Sequence, residues 1–319
     1  NRSFQSPFSN ISYFDSNYWH SMFEDFSFPD GSKPSWERVD FLQRDFMNWL
    51  NNERTKTLLT FPVETVALLT DGKKVLDQDY YDFVADMWSK GHSFFLYLSD
   101  KPDSLASCCR LRNQINSNVF SFTNGLTGVQ TGSVNVITLN LNRIIQDCYR
   151  NDSTHEKTFN EYLLDILNRV AKYHVAYKTL IYENEKKGML TASKANYISM
   201  EKLYSTIGIN GFNEAAEYLG IVCRDYYDYK GFNQYVLGTI DRFVKDFNKD
   251  NPKFQLNVEF VPAESLGSKN YEWDKEDGYE VPAEGNHLYN SYFFKTDDPK
   301  TSVLEKLAWH GRDYTDKLS

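Results

Sequence analysis

Apolar residues recur at helical spacing over 36–54, where Val39, Leu42, Phe46, Trp49 and Leu50 share a side and Pro34 and Ser35 stand at the start. Residues 57–69 read as extended, with Pro62 pointing to an edge or interrupted strand. A second helix fits 79–90: Asp79 lies near its start, Phe83, Val84, Met87 and Trp88 form its apolar face, and Gly91 is placed to stop it. A strand at 93–98 follows. Residues 134–141 read as a buried strand, and 155–187 as a long helix through Phe159, Leu163, Ile166, Val170, Tyr173, Tyr177, Leu180 and Ile181. The stretch 205–220 predicts a strand end, a turn at Asn210-Gly211 and a short helix. An amphipathic helix over 229–248 and an alternating strand over 254–262 come next, then an acidic, irregular segment from 263 to 285. Strands alternating with helices imply an α/β fold with largely parallel pairing. No repeat, low-complexity tract or linker divides the chain, so a single domain over 1–319 is expected.

Between the strands at 93–98 and 134–141 lies a segment without periodicity, 99–133, containing Pro102, the pair Cys108-Cys109 and the glycines 125, 128 and 132. Structureless loops beyond roughly 12–15 residues are uncommon unless functional. This segment is therefore the strongest physical pointer to a site.

Composition narrows the classes. Hydrophobic residues make up 41% and aromatics 16%, enough for a sizeable core, which argues against disorder. The longest apolar runs, such as 94–98, fall far short of the ~20 residues of a bilayer span, so no membrane partner is expected. A net charge of −9 without a Lys/Arg cluster excludes polymeric nucleic acid as the natural partner. A nucleotide remains compatible, because backbone amides hold phosphate without a basic surface. The opening residues lack an initiating Met and an apolar h-region, so the N-terminus is expected to be processed or truncated rather than a signal peptide. The sequons at Asn10 and Asn151 are read as chance matches.

Of the four cysteines, Cys148 and Cys223 read as small buried residues, and no CxxC pair offers a structural zinc site. Cys108-Cys109-Arg110 is different. A thiol beside a fixed positive charge reacts more readily, and two adjacent thiols suit redox or radical chemistry. The stretch 125–132 matches neither GxGxxG nor a P-loop. His174 lies on a helix face and reads as a satisfied, partly buried histidine. His287 sits in a turn-to-strand segment whose Asn286, Asn290, Ser291 and backbone amides could cradle phosphate, or form an ordinary polar loop. Nothing matches the GxSxG elbow.

Six segments together resemble one family: QSPFSNI (5–11), FPVETVALL (61–69), SCCRLRN (107–113), GSVNVITLNLNRI (132–144), GINGFNEAAEYLG (208–220) and NHLYNSYFF (286–294). In this order, along nearly the whole chain, they look like the catalytic core of class III anaerobic ribonucleoside-triphosphate reductases, which are glycyl radical enzymes. The resemblance implies part of a ten-stranded α/β barrel of two half-barrels with a central finger loop. It implies that Cys109, in the family's Cys-Arg step, becomes a thiyl radical and takes the 3′-hydrogen of the ribose. Cys108 stands where the family often lacks a cysteine, and its role is open. Ser133 or Asn135 takes the place where formate-using members carry an asparagine, so formate and a thiol protein both remain open as reductant. Gln5, Ser6, Arg110, Asn286, Asn290 and Ser291 are the implied substrate-binding residues.

No metal or cofactor is expected on this chain alone. A structural zinc and the glycyl radical are expected on a further C-terminal part, and a regulatory ATP-binding region and first strand upstream, with ATP and deoxynucleoside triphosphates as effectors. Expected partners are a ribonucleoside triphosphate, a radical SAM activating enzyme, a second copy in a homodimer and a complementary C-terminal chain. The expected location is cytoplasmic. On this reading the chain is a fragment or one piece of a split enzyme, inactive alone. Two alternatives stand: a non-catalytic nucleotide-binding or scaffold relic of the fold, and another glycyl radical enzyme of the pyruvate formate-lyase type.

Overall fold

A computed structural model describes residues 9–102, 104–106, 112–114, 120–121, 125–126, 132–151, 158–195, 198–221, 226–261, 265–282, 287–295 and 298–309. The chain divides into two compact units, 1–132 and 133–319.

The first unit contains β1 (Asn10–Phe14), α1 (Ser16–Phe23), α2 (Trp36–Arg54), β2 (Val63–Leu69), α3 (Gln78–Ser89) and β3 (Phe95–Ser99). The strands form a parallel sheet in the order β1-β2-β3. One face packs Tyr13, Val66 and Leu68 against Met47 of α2 and Tyr80, Val84 and Met87 of α3. The other sets Ala67 and Leu69 against Tyr18 and Met22 of α1. Asp15 starts α1 by accepting from Tyr18 N at 2.7 Å and ties it to the sheet by accepting from Leu69 N at 2.6 Å. At the start of β2 the buried Glu64 takes three donors: Tyr13 Oη and Arg54 Nη1 at 2.5 Å each and His92 Nε2 at 2.6 Å.

Three readings change here. Strand β2 is central, because Pro62 lies just before its ladder and interrupts none of it. Helix α3 starts one residue earlier than expected, capped by Asp77, which accepts from Tyr80 N at 3.0 Å, with Asp79 in its first turn as read. Helix α2 buries Gln43, Met47 and Leu50 and leaves Leu42 and Trp49 exposed. Its inward stripe is rotated because the Gln43 amide completes β1, donating to Phe14 O and accepting from Phe14 N.

Within the aperiodic segment two short antiparallel pairs are described, β4 (Ser104–Ala106) with β5 (Arg112–Gln114) and β6 (Phe120–Ser121) with β7 (Gly125–Leu126). Two- and three-residue strands are too short to leave a period in the sequence.

The second unit contains β8 (Gly132–Asn140), α4 (Leu141–Asn151), α5 (Phe159–Lys186), α6 (Thr191–Lys194), β9 (Leu203–Asn210), α7 (Phe212–Tyr218), α8 (Tyr226–Asp250), β10 (Leu256–Phe260), α9 (Leu266–Glu276) and α10 (Val303–Trp309). Its sheet runs β8-β9-β10, with β9 and β10 parallel. Ile207, Ile209, Leu256 and Val258 face a core with Leu163, Leu167 and Val170 of α5 and Val236 and Ile240 of α8. A full capping box between Thr158 and Glu161 starts α5.

Four readings change in this unit. Strand β8 is only partly buried, with Leu139 its single buried residue and Ser133 and Val136 exposed. Helix α5 buries Leu167, Ala171, His174 and Lys178 and exposes Tyr173, Tyr177 and Leu180. The Lys178 ammonium reaches the backbone carbonyl of Leu203 at 2.6 Å, which lets a cation sit on the inward stripe. The acidic segment holds α9, whose buried face is Gly267, Asn270, Tyr271 and Asp274; a mostly polar inner face leaves no apolar stripe to read. Residues 287–294 form bends and no strand, because Asn290 Nδ2 turns back to Phe294 O at 2.8 Å.

Candidate functional site

Polar side chains converge where β8 and β9 end. Asn210, fully buried, donates through Nδ2 to Asn290 O at 3.2 Å and accepts from Asn270 Nδ2 of α9 at 2.8 Å. Gly211 follows with φ +71, and a Cβ there would lie 3.2 Å from Asn140 Oδ1 and 3.3 Å from Tyr289. Glycine is thus required twice, for the left-handed backbone and for the close approach. It lets α7 begin directly against the 289–291 turn.

That turn is held from three sides. Asn290 N–H donates to Glu214 Oε1 at 2.9 Å. Tyr289 N–H donates to Gly267 O at 3.1 Å, and a Cβ on Gly267 would stand 2.7 Å from Tyr289 O. The Tyr289 hydroxyl donates to Asp274 Oδ2 at 2.6 Å and accepts from Asn142 Nδ2 at 2.7 Å. Asp274, fully buried, also accepts from Asn140 Nδ2 and from Arg143 Nε at 2.6 Å. Burial, then Asp274, keep the Tyr289 phenol protonated well above its usual range. The Asn290 side chain is engaged within the turn, donating to Phe294 O and accepting from Tyr292 N. The Tyr289 and Asn290 N–H groups are committed as well, so the residue left for a ligand at this turn is Ser291, rather than the Asn290 amide.

Glu214 is the unusual group. Burial pushes its carboxyl up to about 7, although the Asn290 N–H pulls the other way. Its Oε2 and the neighbouring Asn213 Nδ2 are buried without a hydrogen-bond partner, so polar capacity is left over beside the turn.

A second polar row crosses the opening strand residues of the same sheet. Ser133 Oγ lies 2.7 Å from Thr206 Oγ1, Thr206 Oγ1 donates to Asn257 Oδ1 at 2.7 Å, and Asn257 Nδ2 donates to Glu259 Oε1 at 3.1 Å. Ser133 Oγ also approaches Asn135 O at 3.1 Å. The two polar groups share one sheet: from Thr206 to Asn210 is four residues along β9, roughly 13 Å at the usual rise.

Of the residues singled out from sequence, Asn290 and Ser291 stand in the turn, and Ser133 and Asn135 stand near the start of β8. Gln5, Ser6, Cys108, Cys109, Arg110 and Asn286 lie outside the described residues. Sequence reading missed Asn210, Glu214, Asn270 and Asp274, and the row Thr206, Asn257 and Glu259. The available signal was polar residues at strand positions 206, 210 and 257, where apolar ones are usual. Among the described residues, no group of three or more His, Cys, Asp or Glu is arranged to hold a metal ion. No helix among them is long and apolar enough to cross a membrane.

Parallel strands alternating with helices make this an α/β protein, with polar side chains gathered where β8 and β9 end. The chain belongs to the anaerobic ribonucleoside-triphosphate reductase family, whose model matches residues 1–316. No curated protein sequence matches it significantly. Among solved structures it is similar to the anaerobic ribonucleotide reductase of Thermotoga maritima with MES in the active site, at 28% identity and a TM-score of 0.78 over 99% of this chain and 52% of that one. The same enzyme in complex with dATP and CTP matches at 27% identity and 0.78, over 99% and 51%. A form with citrate in the active site matches at 27% and 0.76, over 98% and 57%. The chain thus spans about half the length of the structures it matches.

Proposed function

We propose that this chain is the central part of the catalytic barrel of an anaerobic ribonucleoside-triphosphate reductase, and that the 289–291 turn receives the substrate phosphates. The observation that carries the reading is the turn itself, bound by Asn210, Glu214 and Gly267 against the beginning of α7. The Ser291 hydroxyl and N–H, in a turn held this way, suit a phosphate oxygen in an acidic protein. Gln5, Ser6, Arg110 and Asn286 complete substrate binding in this proposal. The two units would each contribute strands to the ten-stranded barrel of the family, in one catalytic domain.

The aperiodic segment 99–133 is the finger, with Cys109 at its tip. As a thiyl, its sulfur takes the hydrogen atom from C3′ of the ribose and becomes a thiol; the 2′-hydroxyl leaves as water with the proton of the 3′-hydroxyl, two electrons from the reductant with two protons reduce C2′ and restore the 3′-hydroxyl, and the thiol returns its hydrogen atom to C3′. A closed site protects such a sulfur from solvent and holds it against one C–H bond. Cys108 and the Ser133–Asn135 stretch stand nearest in role, toward the reductant, formate or a thiol protein. The radical itself is supplied from a further part of the enzyme bearing the glycyl radical and structural zinc, charged by a radical SAM activating enzyme. The residues described here offer zinc no donor set, so no step runs through it. Deoxynucleoside triphosphates and ATP act as effectors on a homodimer, in line with the relative's complex with dATP and CTP.

Two measurements test this. CTP is expected to bind the chain more tightly than cytidine, with Ser291→Ala narrowing the gap; equal binding of both would refute the phosphate turn. Anaerobic assays with an activating enzyme and a complementary C-terminal segment are expected to yield dCTP, and Cys109→Ala to yield none. Undiminished product from Cys109→Ala would remove the thiyl assignment.

A further inference from the structure

Glu214 meets the 289–291 turn with a carboxyl that the described residues only half satisfy. Its Oε1 accepts from Asn290 N–H at 2.9 Å, while Oε2 is buried without a partner. The residue as a whole is 4% exposed. Glu217 acts on it from its own helix and Lys295 from the 287–295 segment, and those two are paired with each other at 2.5 Å. Burial and Asp274 keep the nearby Tyr289 phenol protonated. Helix α4 packs against α7, but its charged side chains are engaged elsewhere: Arg143 with Asp274 and Asp277, Asp147 with Tyr279, and Arg150 with Gly278 O. Among the described residues, no cation therefore touches Glu214 Oε2.

A phosphate received at Ser291 lies one residue of chain beyond the N–H that Glu214 holds. With hydrogen bonds of ~2.9 Å at each end and ~3.8 Å per residue, phosphate and carboxyl are within ~10 Å. That is about one Debye length, and a buried carboxyl is screened less than an exposed one. An ionised carboxyl there repels incoming phosphate charge; a neutral one does not. We infer that Glu214 is a proton-linked positioning residue: a nucleoside triphosphate binding at this turn is accompanied by uptake of one proton from solvent onto Glu214 Oε2. This rests on the reading of the turn as the phosphate site. The bond to Asn290 survives protonation, because Oε1 still accepts, so the turn keeps its anchor while the charge behind it disappears. In the free protein burial holds the carboxyl up at about 7. It is thus mostly ionised at about pH 8, with a proton to take up, and already neutral toward about pH 6. CTP affinity is expected to fall by up to tenfold per pH unit above about 7.

The test is titration calorimetry of the full chain with CTP at about pH 8, in two buffers of different ionisation enthalpy, which counts the protons bound. Circular dichroism verifies folding. Wild type is expected to take up roughly 0.5–1 proton per CTP more than Glu214→Gln, whose amide cannot ionise. Taking the difference also removes the protons of CTP itself, since phosphate groups titrate near neutrality. A purely structural role would change the affinity by one factor at every pH and leave the proton count alone. Histidine side chains also take protons in this range, and His287 stands two residues before Tyr289. Uptake that persists in Glu214→Gln and disappears in His287→Gln overturns the inference in favour of the imidazole. Should Glu214→Gln fail to fold, Glu217→Gln, at a partly exposed position, removes a negative charge that raises Glu214. It should move the fall in CTP affinity to lower pH, and an unmoved fall overturns the inference. Equal uptake in wild type and Glu214→Gln also overturns it and leaves the phosphate turn standing. Failure of wild type to bind CTP overturns the nucleotide reading itself, and this inference with it.

Discussion

Replacing Glu214 by Gln isolates what a buried carboxyl does beside the candidate phosphate turn. Gln keeps an oxygen to accept from Asn290 N–H, the bond that Oε1 makes at 2.9 Å. Burial raises the carboxyl from 4.5 to about 7, with Glu217 adding to the rise and Lys295 opposing it. Between those values the folded protein keeps a proton that the unfolded chain releases. Stability from this group is therefore complete below 4.5 and is lost as pH rises through about 7. At ~1.4 kcal/mol per unit, the loss is on the order of 3 kcal/mol. The Gln side chain has no such dependence. Its buried Nε2 replaces an oxygen without a partner, which costs about 1–3 kcal/mol at every pH and so cancels in the comparison. Urea unfolding of both proteins at about pH 4.5 and about pH 8 gives the two differences in stability, provided the slopes match. The variant is expected to gain ~3 kcal/mol relative to wild type from the lower to the higher pH. A difference that stays flat would show that Glu214 does not hold its proton, and the reasoning would fail.

Three further outcomes follow from the packing. Gly267→Ala places a Cβ 2.7 Å from Tyr289 O; it should cost about 1–3 kcal/mol by overpacking and weaken CTP binding by displacing the turn, and unchanged CTP affinity would separate the turn from the ligand. Asp274→Ala leaves the Asn140 amide, the Tyr289 hydroxyl and the Arg143 guanidinium without their shared acceptor; a loss of about 3 kcal/mol or more is expected in urea unfolding, and a loss within ~0.5 kcal/mol, as at ordinary surface sites, would refute the clasp. Glu64→Ala removes the shared acceptor of Arg54, His92 and Tyr13 in the first unit, leaving Arg54 only the carbonyls of Ser93 and Pro62, and should cost roughly 3–5 kcal/mol, read as a lower melting temperature; an unchanged one would mean the other two donors find new partners.

The fold was legible where one apolar stripe decided the element. Helices at 36–54, 78–89 and 226–250 appear within a few residues of their expected places, and the turn at Asn210-Gly211 lies where read. Which side faces inward was less legible, because polar groups can occupy an inner stripe when the backbone receives them. Gln43 does so by completing β1, and Lys178 by reaching Leu203 O. Spacing identifies a helix, but the partner surface chooses its buried face.

The same physics explains why the site was only half visible. Asn290 and Ser291 could be read locally, because a run of small polar residues in a turn carries its own signal. What fixes that turn is distant in sequence: Glu214 and Asn210 reach it from 76 and 80 residues away. Helix α9 supplies Asn270 and Asp274 from a stretch that looked irregular, since its inner face serves hydrogen bonds rather than apolar contacts. A buried polar group is stable only when its partners are present, and those partners are assembled by the sheet. Polar residues at strand positions, such as Thr206, Asn210 and Asn257, are therefore the trace such a site leaves in a sequence: each would be unfavourable unless another element, or a ligand, completes it.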